Sequence, residues 1–338
     1  MRGGKVVRVC LGLAAAGAVV VIGAKIASEK LFEQPLVDGC SARVLDRTTR
    51  LSIEEAENAA LISALSVQRG MPARAATIAL ATAFQESGLR NIDYGDRDSV
   101  GLFQQRPSQG WGTPEEILDP YYATSRFYTA LAKIDGYDAM EIADAAQLVQ
   151  NSADGGAYAQ HEPGARALAS SLTGETPAAF FCELREAPTT ADPDALRSEL
   201  AKAFGSSPDS ARAGDVASRS RTTADGAGPD EVRTDGRGRN PGAGGDGAGS
   251  GGDGAGSGGD GPGSGDDEEG TVDIPLGDTA PSYGWSVAQW AVAYSQRFGI
   301  VSVSYGERTW SAAESTKGWR QADQSAPAGR IRIVLATG

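Results

Sequence analysis

Apolar positions recur at helical spacing through residues 51–182, and no other part of the chain keeps that period for so long. Ser52-Ile53-Glu54-Glu55 reads as a capping box. It opens a helix with Ala56, Ala59, Ala60, Ile62, Ala64 and Leu65 on its inner face and a stop at Gly70. Pro72 starts the next helix, which runs through Ile78, Leu80 and Ala83 to Glu86 and ends at Gly88. From Arg90 to Gly112 the period is lost and Gly, Asp and Asn predominate, which predicts loop. Thr113-Pro114 and Asp119-Pro120 then start two more helices, the second over Tyr122–Ile134. Helices over Met140–Gln150 and Glu162–Leu172 complete an all-α domain assigned to residues 38–185, long enough to bury one core.

Beyond that domain the pattern changes. Residues 186–282 carry no period, and within them Gly244–Ser250, Gly251–Ser257 and Gly258–Ser264 repeat a Gly-Gly-Asp-Gly-x-Gly-Ser unit. Nothing larger than Ala or Pro among the apolar residues occurs there, and glycine loses too much backbone freedom in a helix. The expectation is a disordered linker averaging about 55 Å from end to end. A phosphate-cradling loop would need a strand before and a helix after, and the pattern supplies neither. In residues 283–338 an amphipathic helix over Ser286–Phe298 precedes strands over Ile300–Tyr305 and Ile331–Leu335, which predicts a small α+β module. The chain as a whole reads as mainly α.

The N-terminus adds a targeting signal. Arg2, Lys5 and Arg8 precede an unbroken apolar run from Val9 to Ala24, closed by Lys25. Residues 1–30 are expected to anchor the chain in a membrane by a single pass, N-terminus in the cytoplasm and the rest outside. A cleaved signal peptide with secretion is the alternative, since Ile22-Gly23-Ala24 suits cleavage. A net charge of −13 argues against nucleic acid as a partner. One histidine and three dispersed cysteines argue against a Cys/His metal site, and no cofactor is expected. Cys40 and Cys182 bracket the helical domain and read as a disulfide of an oxidising compartment.

The candidate chemistry lies in Phe84-Gln85-Glu86-Ser87-Gly88-Leu89 and in Ser99-Val100-Gly101-Leu102-Phe103-Gln104. A carboxyl at the end of an apolar helix can protonate a departing glycosidic oxygen if its surroundings favour the neutral form. The plainer reading is a helix-end glutamate paired with Arg90 four residues on. Asp93, Asp96 and Asp98 are either a second catalytic carboxylate or turn-formers.

Over roughly Leu51–Leu172 these elements resemble the lysozyme-like lytic transglycosylases, in their actinobacterial form. The resemblance implies a lysozyme-like fold and peptidoglycan glycan strands as substrate, cut with a single glutamate. Carried onto this chain, it makes Glu86 the general acid/base and Ser87 its support. It lines the sugar cleft with Ser99, Gly101, Gln104 and Gln105, and places Asn151 where the family has a Tyr-Asn-x-Gly signature. From its residue type alone, Trp111 is either a ring for stacking on sugar or a core or rim aromatic. A non-catalytic protein of the same fold, binding wall glycan or scaffolding an envelope complex, is the alternative. Residues Trp290–Leu335 are similar to a small C-terminal module of actinobacterial wall enzymes, through Phe298-Gly299-Ile300, Arg308-Thr309-Trp310, Gly318-Trp319-Arg320 and Arg330-Ile331-Arg332-Ile333. Relatives of that module often end in a histidine-bearing strand like that of zinc peptidases. This chain has no histidine there, which implies a binding or structural module without metal.

Overall fold

Local sequence fixes most helix ends. In the computed structural model, which describes residues 37–151, 156–205, 270–277 and 279–337, helix α1 spans Ile53–Gln68 behind the expected capping box. Ser52 Oγ accepts from the Glu55 N–H at 3.3 Å and the Glu55 carboxylate accepts from the Ser52 N–H at 2.9 Å. Helix α2, Ala73–Ser87, ends at Gly88, whose left-handed φ of 65° suits a residue without Cβ. Thr113 caps α3 (Pro114–Ile117) and Asp119 caps α4 (Pro120–Leu131). Helices α5 (Ile142–Gln150), α6 (Gly156–Ala159) and α7 (Glu162–Leu172) follow.

The domain is mixed, not all-α. Strands β1 (Gly39–Val44), β2 (Arg47–Leu51) and β3 (Phe180–Glu183) form an antiparallel sheet in the order β2-β1-β3. Cys40 pairs opposite Cys182 in that sheet and the two are joined as a disulfide. The strands are short and β3 returns to β1 across the whole helical segment, so no local period announces the sheet.

The segment assigned to the linker is ordered at both ends. Helix α8, Pro193–Phe204, starts at Asp192, whose carboxylate accepts from the Ala195 N–H, and it buries Leu196, Leu200, Ala203 and Phe204. Strand β4, Thr271–Pro275, pairs with the last strand of the chain. The glycine repeats between them lie outside the described residues.

The C-terminal unit has the expected α+β make-up. Helices α9 (Pro281–Ala293) and α10 (Ser295–Phe298) lie with β5 (Ile300–Tyr305), β6 (Arg308–Ser311), β7 (Arg320–Gln321) and β8 (Arg330–Leu335) in a sheet ordered β4-β8-β5-β6-β7. It is not a module swinging on a tether. Its core is continuous with that of the helical domain. Fully buried Gln289 accepts at Oε1 from the N–H groups of Ala179 and Phe180, at 2.8 and 2.7 Å, and donates from Nε2 to the Ser171 carbonyl. Trp310 Nε1 donates to the Cys182 carbonyl at 3.0 Å and Trp319 Nε1 to the Phe180 carbonyl at 2.7 Å. Phe204 of α8 packs edge-on to Tyr283 and Trp290 of α9. Arg297 of α10 pairs with Glu57 of α1 at 3.2 Å.

The expectation of a single-pass membrane protein is corrected. Among the described residues no helix is long and apolar enough to cross a membrane. Helix α1 rises about 24 Å against the ~30 Å of a bilayer core and carries Glu54, Glu55 and Glu57. Residues 1–30, on which the anchor rested, lie outside the described residues.

Candidate functional site

Glu86 sits in the last turn of α2, whose inner face buries Ile78, Ala79, Leu80 and Ala83 completely. That face fixes the helix, and its end carries the carboxylate to the margin of the core, where Glu86 is half-buried. Its Oε1 accepts from the Tyr158 hydroxyl at 2.7 Å. Tyr158 lies on α6 and is only 2% exposed, so the donor is held rigidly. The partner of Glu86 is therefore Tyr158 and not Arg90.

The same turn is clasped from a second side. Gln85 Oε1 lies 3.0 Å from His161 Nε2 and 3.2 Å from Gln160 Nε2, and the Phe84 ring stacks on the His161 ring at 5.7 Å. Burial lowers the His161 pKa and so favours the neutral imidazole. Segment Tyr158–His161 thus meets three successive residues, Phe84, Gln85 and Glu86.

Ser87 ties the helix end to the facing turn. Its hydroxyl lies 2.8 Å from the Leu102 carbonyl and 3.1 Å from the Ala83 carbonyl. Val100 and Gln105 exchange backbone hydrogen bonds, closing the Gly101–Gln104 turn, and Gly101 N–H donates to the Ile92 carbonyl at 2.7 Å. Gly101 has φ 80°, and a Cβ there would stand 2.8 Å from the Ile117 carbonyl oxygen, so only glycine fits. Leu102 and Phe103 are fully buried beneath, and Gln150 Nε2 donates to the Phe103 carbonyl at 2.8 Å.

The structure joins Ser87, next to Glu86 in the chain, to the Gly101–Gln104 turn through the Leu102 carbonyl. Gln104, at a left-handed φ of 46°, turns its amide back onto the Tyr94 and Gly101 carbonyls. Gln105 points inward instead: it is 1% exposed and donates to the Ala123 carbonyl at 3.2 Å. Ser99 is buried within the loop, its N–H on the Asp96 carbonyl. Trp111 is half-buried, and its carbonyl accepts from the Tyr122 hydroxyl at 3.2 Å. Asn151 ends α5 in a left-handed conformation, exposed beside residues 152–155, which lie outside the described residues.

Asp98 is a structural anion. It accepts from Arg106 Nε at 2.8 Å and from the N–H and hydroxyl of Ser108 at 2.8 and 3.1 Å. The Ser108 N–H first, then Arg106, hold its carboxyl far below the usual carboxylate range. Asp96 faces solvent beside Arg97. The bonds of Asp98 hold the loop together.

Tyr158 and the Gln85–His161 contact were missed from sequence. The available signals were the glycine-flanked Gly155-Gly156-Ala157-Tyr158 and the single histidine of the chain.

A family model described as "VldE, C-terminal domain" matches residues 257–329. The match takes in β4 through β7 and stops before β8, and it does not reach the helices that carry Glu86. It is compatible with the likeness of Trp290–Leu335 to a recurrent C-terminal module. No curated protein matches the chain.

Proposed function

We propose that this chain cleaves peptidoglycan glycan strands in the manner of a lysozyme-like lytic transglycosylase, with Glu86 as general acid/base. One observation carries the reading. The Glu86 carboxylate stands at the end of an apolar helix, held by the Tyr158 hydroxyl at 2.7 Å, and the next residue ties that end to the Gly-Leu-Phe-Gln turn. In this scheme protonated Glu86 gives its proton to the departing glycosidic oxygen as the bond to the anomeric carbon breaks. The carboxylate left behind takes a proton from the hydroxyl that attacks next. An acceptor group on the substrate replaces a second protein carboxylate, in keeping with the structural use of Asp98. The Cys40–Cys182 disulfide supports an oxidising compartment, where wall glycan is found.

The test is release of soluble fragments from purified peptidoglycan by residues 37–338. The shared core argues for keeping the C-terminal unit in the protein assayed. Glu86→Gln keeps the shape but cannot donate the proton, and release should fall by ~10²–10⁴-fold with thermal unfolding unchanged. Wild-type release by the variant would remove Glu86 from the reaction. Co-sedimentation of both proteins without release by either would replace cleavage with glycan binding.

A further inference from the structure

A cavity of about 600 Å³ opens at the start of α2, the opposite end of the helix from Glu86. Helical rise puts Ala73 and Glu86 about 20 Å apart. The volume falls among those of small-molecule sites. Ala73, Thr77 and Ala167 lie along its helical walls, and Val44, Leu45 and Pro163 add apolar surface. Leu45, at the tip of the β1–β2 hairpin, is 99% exposed.

The charges in this cavity do not balance. Arg47, Arg74 and Arg166 line it against the carboxylates of Asp46 and Glu162. Arg166 is already neutralised, with its Nε 2.6 Å from Glu162 Oε1. Arg74 donates one amino group to the neutral Met140 carbonyl, and its buried Nε has no acceptor. Two guanidiniums, Arg47 and Arg74, therefore face the single carboxylate of Asp46. Helix α2 begins here without a capping side chain or an acidic residue in its first turn, so its positive end adds to the same field. A local positive excess in a chain of net charge −13, in a cavity lined by both polar and apolar side chains, favours an anion.

We propose that this cavity binds the carboxylate head of a small organic acid. Arg47 and Arg74 hold the carboxylate while Val44, Leu45 and Pro163 cover the apolar body. Its two arginines lie away from Glu86, although the cavity also reaches Ala159, next to Tyr158, and the proposal stands whether or not Glu86 is catalytic.

Calorimetric titration of residues 37–338 tests it with acetyl-alanyl-alanine, its C-terminal amide, and inorganic phosphate as probes. The free acid should bind, with affinity falling as salt is added, and the amide should not. Arg47→Gln, at an exposed hairpin position, should weaken binding of the acid by about 10- to 100-fold, the range of one hydrogen bond to a charged group, with thermal unfolding unchanged. Arg74→Gln should weaken it similarly, although that variant also loses its bond to Met140. Equal binding of acid and amide, no binding of the acid, or unchanged affinity in both variants would overturn the proposal. Tighter binding of phosphate than of the acid would overturn the carboxylate assignment. Fragment release from peptidoglycan, measured on the same variants, should remain at the wild-type level.

Discussion

The turn beside Glu86 and the junction around Gln289 are both polar structures set in an apolar frame, yet they are held in opposite ways. The turn is closed mostly by bonds within itself: Val100 with Gln105, Gln104 with Tyr94, Asp98 with Ser108. The junction is closed by buried bonds between distant parts of the chain, from Gln289 to Phe180, Trp310 to Cys182 and Trp319 to Phe180. A buried network is strong when complete and costly when one member is lost. A self-contained loop can change a side chain without releasing its neighbours. The turn's exposed polar side chains are thus the ones the fold can vary, while its Gly101, Leu102 and Phe103 and the junction are parts it cannot.

The largest effect should come from breaking the junction. Gln289→Ala leaves the Ala179 and Phe180 N–H groups buried without the acceptor they share and takes one donor from the Ser171 carbonyl, which keeps the Gly174 N–H, and should cost about 3–5 kcal/mol in urea unfolding. A loss below about 1 kcal/mol would mean that the junction does not close as described. A smaller effect is expected in the turn. Tyr158→Phe removes only the hydroxyl on Glu86 and should lower glycan cleavage about tenfold at a stability cost near 1 kcal/mol. Cleavage unchanged in that variant would make Tyr158 a packing residue.

The smallest effect is a difference in acid response. Asp98 has a depressed pKa, so its support of the loop is present above its unfolded value of 3.8 and is lost as pH falls below it. Glu57, beneath Arg297 at the junction, is shifted the other way: burial raises its carboxyl above 4.5 despite the neighbouring guanidinium. Folding therefore favours its protonated form, and the junction gains from Glu57 as pH falls toward 4.5. Hydrogen exchange followed into acid should open residues 98–108 before residues 286–298. Asp98→Asn should remove the pH dependence of the loop, and simultaneous opening of the two regions would contradict this contrast.

What could be read from the sequence follows the same division. The capping boxes at Ser52 and Thr113, the stop at Gly88 and the turn at Gly101 are written within a few residues, and each is where the pattern placed it. The Asp192-Pro193 start of α8 is the same device as Asp119-Pro120, but it was hidden by the glycine-rich composition that follows. Thr271-Val272-Asp273-Ile274 alternates like a strand, yet its pairing with β8 depends on residues 60 positions away in the chain. The position of Glu86 and Ser87 at the end of α2, beside the Gly101–Gln104 turn, was legible because both lie within the same short stretch. Tyr158 was not, because only the folded chain brings α6 over the end of α2. Side-chain direction hid the rest: Gln105 stands next to Gln104 in sequence but faces the core.

Both ends of segment 206–269 are anchored in one packed body, at α8 and at β4. In terms of covalent topology the chain between those two anchors closes a loop. The one disulfide lies wholly on the N-terminal side. A single cut in the loop would therefore leave two unequal chains joined by the Gln289 junction, the Phe204 contacts with α9 and the Arg297–Glu57 pair. Their cohesion would then depend on concentration, as in any dimer, and the peptide bonds between the two anchors are what make the association intramolecular.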